Sequence, residues 1–308
     1  MLYINPNTSK IITAKREFHK EMLDFVYNRF DNIDKLKNAN IPQIKCFFDL
    51  FINDFIDEIL VGSPQILNEI NQRLNKLIMS YKDIRLGVEY VFNYDNFIIK
   101  KKKLYDAYKL AESLDISTCI YCNRNYTNTV ISKNGEKLTR PQFDHYFDKK
   151  SNPLLAISFY NLIPACSICN SSIKGREKMN LSDFSHPYID NILGDIRFTY
   201  KYSVKTKAGL SVKVLTPKNL KARNTVEAFA IEEVYNSHTS ELLDMLRVKQ
   251  YYSDRYLSIL NDNLLKSFKV SQNDLYRMVF GTELKEINFV NRPLSKFKSD
   301  ILKELGII

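Results

Sequence analysis

The sequence predicts an α+β chain. A turn-rich middle segment, 115–194, separates a helical N-terminal region, 1–114, from a C-terminal region, 195–308, made of one β-hairpin and further helices. Three observations predict this. Apolar residues recur at three- and four-residue spacing on both sides of the middle segment. Four of the nine prolines and three of the eight glycines fall inside it, as a turn-rich structure requires. Four of the five cysteines also stand there, as two identically spaced C-x-x-C pairs.

In the N-terminal region, Phe47, Leu50, Phe51, Phe55 and Ile59 follow the spacing of one buried helix face, and Gly62 stops that helix. Ser63-Pro64 opens the next, with a cap residue before a proline in the first turn, and Ile66, Ile70, Leu74 and Leu77 should face inward. A further helix follows the run Lys100–Lys103, itself read as a solvated helix start, and passes through Leu104, Tyr108 and Leu114. His19 lies in a polar helical stretch and carries no role. Cys46 lies in an apolar one and is expected in the core. In the middle segment, Asn134-Gly135 between Thr129-Val130-Ile131 and Leu138 marks a hairpin. His186, in His-Pro-Tyr, reads as a structural turn.

Residues 195–217 read as a second hairpin. Ile196, Phe198, Tyr200 and Tyr202 alternate with polar residues, Ala208-Gly209 turns, Val212 and Val214 return, and Pro217 ends it. Helices follow over 226–235 and 238–265 and again from Ser295, with His238 at a helix start. The spacing of Tyr251, Tyr252 and Tyr256 suits core packing better than base stacking.

An apolar content of 44% with 26% charged residues supports a folded core and excludes a disordered chain. No apolar run approaches the ~20 residues of a membrane span, and MLYINPNTSK lacks the pattern of a secretory signal, so no membrane contact and a cytoplasmic location are expected. Lys plus Arg is 45 and Asp plus Glu is 35, giving +10, a balance that favours nucleic acid as a partner. The excess concentrates in 119–178, where nine basic residues face four acidic ones.

In such a compartment disulfides are disfavoured and paired C-x-x-C units read as metal sites. Cys119, Cys122, Cys166 and Cys169 complete a tetrahedral, structural Zn²⁺ shell with no open position for water. Residues 123–165 form an insertion longer than the ~15–20 residues of a compact zinc ribbon. That insertion carries Phe143-Asp144-His145-Tyr146-Phe147, whose charged pair suits a divalent ligand beside a proton acceptor. Asn161 lies within it, and Asn170 directly follows the second cysteine pair. A knuckle turning into a helix would fix Asn170 at the helix start, its oxygen toward a metal.

The order C-x-x-C, Asp-His, loop Asn, C-x-x-C-Asn, Lys over Cys119 to about Gly175 resembles the HNH (ββα-metal) endonuclease superfamily. Asn170 stands where some relatives carry histidine; its hard oxygen suits Mg²⁺. CIYCNR, FDHYFDKKSNPLLAISFYNLIPACSICNSSIKG, the HPY at 186–188 and RPLSKFKSDILKELG at 292–306 are similar to the HNH effectors of Septu and retron-linked anti-phage systems, with Asp148 at a place where proline is expected.

The resemblance implies a zinc-stapled ββα-metal core and divalent-metal-dependent hydrolysis of phosphodiesters, DNA favoured, leaving 5′ phosphate and 3′ hydroxyl. It implies His145 as general base, Asp144 and Asn170 as Mg²⁺ ligands, and Asn161 as a clamp that orients His145. It also implies an ATPase partner. Neighbours on a regular strand point to opposite faces, so Asp144 and His145 share a site only where the strand ends or twists. Lys174 and Arg176, a turn into the following helix, would reach backbone phosphate. Two alternatives stay open: an RNA- or tRNA-cleaving HNH nuclease, and a zinc-knuckle nucleic-acid-binding module without catalysis.

Overall fold

The computed structural model describes residues 1–99, 105–175, 177–204, 206, 209–216, 218–251 and 271–308. Helices dominate both ends of the chain, and the strands form small two-stranded sheets. Among the described residues no helix is long and apolar enough to cross a membrane.

The described residues of the N-terminal region are mainly helical: α1 (Ser9–Asp31), α2 (Ile41–Phe51), α3 (Ile56–Val61), α4 (Pro64–Ser80), α5 (Lys82–Val91), α6 (Tyr94–Ile99) and α7 (Ala107–Leu114). The single helix expected across Phe47–Ile59 is broken. A tight turn over Asn53–Phe55 separates α2 from α3. The buried face lies one position away from the expected one: Ile44, Phe47, Phe48, Ile52, Ile56, Ile59 and Leu60 face the core, while Leu50 is 65% exposed and Phe51 and Phe55 are also exposed. Cys46 is exposed too, because Phe47 and Phe48 take the inward positions beside it. In α4 the buried face is shifted one position from Ile66, which is exposed, to Leu67, with Ile70, Asn71 and Ile78. Buried Asn71 explains part of the shift, since its Nδ2 donates to Asn152 Oδ1 at 2.7 Å. Ser63 caps α4 as expected, its hydroxyl accepting from Ile66 N. The run Lys100–Lys103 and Leu104 lie outside the described residues.

Phe18 of α1 is fully buried, and its ring meets Phe97, Tyr105 and Phe159 edge-on at 6.1, 6.3 and 5.4 Å. Phe159 belongs to the middle segment, so the helical region packs directly against it. That segment holds the hairpin β1 (Val130–Ile131) and β2 (Lys137–Thr139), turned by Gly135 at φ 79°, a left-handed conformation natural to glycine. It also holds the antiparallel pair β3 (Gln142–His145) and β4 (Leu162–Ala165), with Asp144 opposite Ile163 and His145 opposite Leu162.

The second hairpin is β5 (Arg197–Tyr202) with β6 (Leu210–Leu215). Phe198 and Val212 are buried, whereas Tyr202 at the distal end is exposed. Ala208 and Pro217 lie outside the described residues. Helices α8 (Leu220–Ala228), α9 (Ile231–Tyr235) and α10 (Thr239–Tyr251) follow, the first two separated at Ala230, φ 44°. The Tyr251 side chain, Tyr252 and Tyr256 lie outside the described residues. The closing helix, Ser295–Glu304, packs on β5 through Phe297 against Phe198 at 5.5 Å, and Asp300 accepts from Phe198 N at 2.9 Å.

Two expectations test this packing. Gly87 lets α5 approach α2: a Cβ there would sit 2.4 Å from Cγ2 of buried, β-branched Ile44. Gly87→Ala should lower stability by roughly 1–3 kcal/mol by overpacking, although alanine favours helix. An unchanged urea midpoint would refute the close approach. His186 is fully buried with Nδ1 accepting from Tyr188 N, and burial pulls its pKa down to about 3 from an ordinary 6.5. As pH falls below 6.5 the unfolded chain takes up a proton that the folded chain refuses, so this contribution is full above 6.5 and lost as pH falls toward 3. Urea midpoints measured from pH 7.5 to 5 should fall less steeply for His186→Gln than for wild type.

Candidate active site and metal centre

The first cysteine knuckle is a chain reversal. Thr118 bridges to Tyr126, Cys119 N donates to Asn125 O at 3.0 Å, and Asn123 adopts φ 48° while donating its N–H to Cys119 O at 2.8 Å. The second follows β4 immediately. Cys169 N donates to Cys166 Sγ at 3.4 Å, and Asn170 N to Cys166 O at 3.0 Å. Because β4 pairs with β3, ending β4 at Ala165 carries Cys166 onto the first knuckle.

The Sγ atoms of Cys119, Cys122, Cys166 and Cys169 all lie within 4.8 Å of one another, and all four residues are buried. Among the described residues no other group of three or more His, Cys, Asp or Glu side chains has such geometry. The cluster could hold a metal ion, and its soft, closed donor set is compatible with structural zinc. N–H groups support the sulfurs from outside: Arg124 N points to Cys122 Sγ at 3.4 Å and Asn125 Nδ2 to Cys166 Sγ at 3.3 Å. Asn123 Nδ2 donates to the carbonyls of Phe289 and Arg292, and Tyr235 Oη to that of Cys122, so the C-terminal region locks this knuckle in place. The sequence reading missed Asn123 and Asn125, although both sit inside or beside the quoted CIYCNR.

Above this base lies a cavity of about 740 Å³ lined by Asp144, His145, Asn170 and Lys174 and by the basic side chains Arg140, Lys149, Lys150 and Lys178. The alternation difficulty is met by position: β3 ends at His145, and both members of the pair line the cavity. His145 is half-buried. Its Nε2 donates to Ala156 O at 2.9 Å and its ring meets Tyr94 edge-on at 4.4 Å. A carbonyl only accepts, so the neutral ring carries its proton on Nε2 and keeps Nδ1 as the basic nitrogen. Burial lowers the His145 pKa to about 4; the bond to Ala156 opposes this, and Lys149 and Lys174 add to it. The imidazole is therefore neutral near pH 7.

Asp144 is 4% exposed. Tyr121 Oη donates to its Oδ2 at 2.6 Å, and Lys174 Nζ reaches Oδ1 and Oδ2 at 2.8 and 2.7 Å. Burial raises the Asp144 pKa, with Lys174 and Tyr121 acting against it. Tyr121 was also missed, though it stands within the first knuckle; its ring stacks on Phe229 at 3.9 Å, which fixes the hydroxyl.

Asn161 is fully buried and makes the contacts of a clamp. Its Oδ1 accepts from Phe147 N at 2.7 Å, and its Nδ2 donates to Phe147 O and Leu155 O at 3.1 and 2.8 Å. It thereby closes the loop that carries Ala156, the partner of His145. Asn170 lies on a widened helical turn, Ile168–Ile173, closed by Lys174 N donating to Cys169 O five residues back, rather than at the start of a regular helix. Its Nδ2 donates to Gln142 Oε1 at 2.9 Å.

Lys174 departs from the expected phosphate contact. It is 6% exposed, and its ammonium is spent on Asp144 and on His145 O at 2.7 Å, because the widened turn points it inward. Arg176 lies outside the described residues. No family model, curated protein or solved structure matches the chain.

Protein purified without chelator should contain about one zinc per chain by elemental analysis. Cys122→Ser should lose both the zinc and cooperative melting, because the cluster joins the two ends of residues 123–165. Folded protein devoid of metal would refute the centre.

Proposed function

We propose that this chain is an HNH endonuclease that hydrolyses phosphodiester bonds with a divalent cation. The observation that carries the reading is His145: a neutral imidazole with Nε2 committed to a carbonyl, in one cavity with Asp144 and Asn170 and beneath basic walls. A hydroxyl donor or a carboxylate beside a structural metal would suit a binding module equally well; an oriented base beside hard-oxygen ligands suits hydrolysis.

In this mechanism Nδ1 of His145 takes a proton from water as the water oxygen bonds to phosphorus, the bond from phosphorus to the 3′ oxygen breaks, and the departing 3′ oxygen takes a proton from solvent. The products are a 5′ phosphate and a 3′ hydroxyl. Asn161 holds the 147–155 loop so that Ala156 O keeps the imidazole in its working tautomer. Asp144 and Asn170 both offer hard oxygen to the cavity, and the Nδ2 bond to Gln142 leaves Asn170 Oδ1 as the end available to a cation. Magnesium held there would neutralise charge on the scissile phosphate and the leaving oxygen. Lys150 and Lys178 are exposed on the cavity wall and suit the flanking phosphates.

DNA as substrate, a place in a Septu-type or retron-linked defence system with an ATPase partner, and a cytoplasmic location rest on the resemblance of the quoted motifs and complete the proposal.

His145→Ala should lower cleavage by about two orders of magnitude or more while zinc content and nucleic-acid affinity stay near wild type. Plasmid, single-stranded DNA and tRNA, each with and without Mg²⁺ and with the partner present, are the substrates to test. Equal cutting by wild type and His145→Ala, or none by wild type, would overturn the reading. Binding should also weaken steeply with salt, and Lys150→Ala or Lys178→Ala should each reduce the salt slope by about one. Salt-independent binding would contradict the phosphate contacts.

A further inference from the structure

The buried ammonium of Lys174 is the least expected feature of the cavity. Lysine has three N–H donors, and here Asp144 Oδ1, Asp144 Oδ2 and His145 O take them at 2.8, 2.7 and 2.7 Å. Both members of the ion pair have only 5% of their side chains exposed. Among the described residues, the only carboxylate bonded to this ammonium is the one on which a divalent cation would sit.

We infer that Lys174 and a divalent cation are alternative occupants of a single cation position at Asp144, so that the metal binds only as Lys174 swings out of it. The inference rests on the reading of Asp144 as a cation ligand and adds how that ligand is kept closed. With Lys174 in place the buried pair is neutral. A divalent ion bound to the same carboxylate would bring three positive charges against one negative at bonding distances, in a site shielded from water. The two cations therefore exclude each other electrostatically.

The backbone provides for the exchange. Lys174 stands at the end of the widened turn, and Gly175 follows at φ 54°, with nothing closer to a built Cβ than 3.8 Å. Among the described residues no side chain lies within 4 Å of a Cβ built at Gly175, so the glycine side of the junction is open. Rotation about this junction would deliver the ammonium into the same cavity, where Lys150 and Lys178 already stand. A phosphodiester is the anion that fits this exchange. It receives Lys174 as the divalent ion takes Asp144, so substrate favours metal entry, and metal alone displaces Lys174 only at high concentration.

The test uses full-length, zinc-loaded protein without nucleic acid, so it does not depend on cleavage. Mn²⁺ binding is measured by titration of the free-ion paramagnetic signal for wild type, Lys174→Met and Lys174→Arg, with Asp144→Asn as the control for the site. Lys174→Met should bind Mn²⁺ about tenfold or more tightly than wild type, because it removes the competing charge, and Lys174→Arg should stay as weak as wild type. Equal affinity of Lys174→Met and wild type, or tightening by both variants alike, would overturn the inference. Should Lys174→Met fail to fold, wild type decides the question through lysine acetylation read by mass spectrometry. Lys174 should react slowly alone and several-fold faster at saturating Mn²⁺; protection that Mn²⁺ leaves unchanged would refute the exchange. Loss of cleavage in His145→Ala bears on the nuclease reading and not on this competition.

Discussion

Four sulfurs within 4.8 Å of one another tie the residue before Asn123 to the residue after Ala165, and everything that lines the cavity hangs from that junction. The excursion between the knuckles buries little of its own hairpin: Val130, Ile131 and Leu138 are exposed. Loop closure over such a length costs entropy that a small sheet of four-residue strands hardly offsets. Joining its two ends removes much of that cost from the folded state. It also sets Tyr121, which lies between two of the cysteines, within 2.6 Å of Asp144 on the far strand.

The flanking regions finish the job that the junction begins. From the N-terminal side, Phe18 reaches Phe159 and Tyr94 meets His145, so α1 and α6 bear on the loop and on the imidazole. From the C-terminal side, Asn123 binds the carbonyls of Phe289 and Arg292, and Phe229 stacks on Tyr121. The cavity needs such support from several directions, because a two-stranded sheet alone would not hold a buried carboxylate against water. The domain bounds at 114 and 194 thus separate kinds of structure more than independent packing units.

Charge within the cavity is arranged in two layers. Buried Lys174 neutralises Asp144, while Lys150 and Lys178 stay exposed on the wall. On the proposed reading the inner layer would govern what the carboxylate binds, and the outer layer, with the net charge of +10, would favour a polyanion.

Much of this was legible in the residues themselves. The C-x-x-C spacing named the sulfur cluster, because two such pairs together present the four thiolates of a tetrahedral site. Asn134-Gly135 named its hairpin, and the alternation of Ile196, Phe198 and Tyr200 named β5, because turn chemistry and a period of two are local properties. Helical phase was legible only until something non-local intervened. The buried face of α2 carries Ile44, Phe47 and Phe48, which leaves Leu50 and Phe51 exposed and Cys46 outside the core. The candidate residues Asp144, His145, Asn161 and Asn170 were found by order along the chain, but their partners were not. Which carbonyl holds His145, that Tyr121 donates to Asp144, and that Lys174 points inward rather than to solvent depend on groups 11, 23 and 30 residues away. The sequence by itself determined the kinds of donor and where turns must fall, since those follow from side-chain chemistry and local backbone preference. Only the tertiary structure decided which donor meets which acceptor, because a hydrogen bond across such separations is set by how helices and strands pack, and packing is a property of the whole chain.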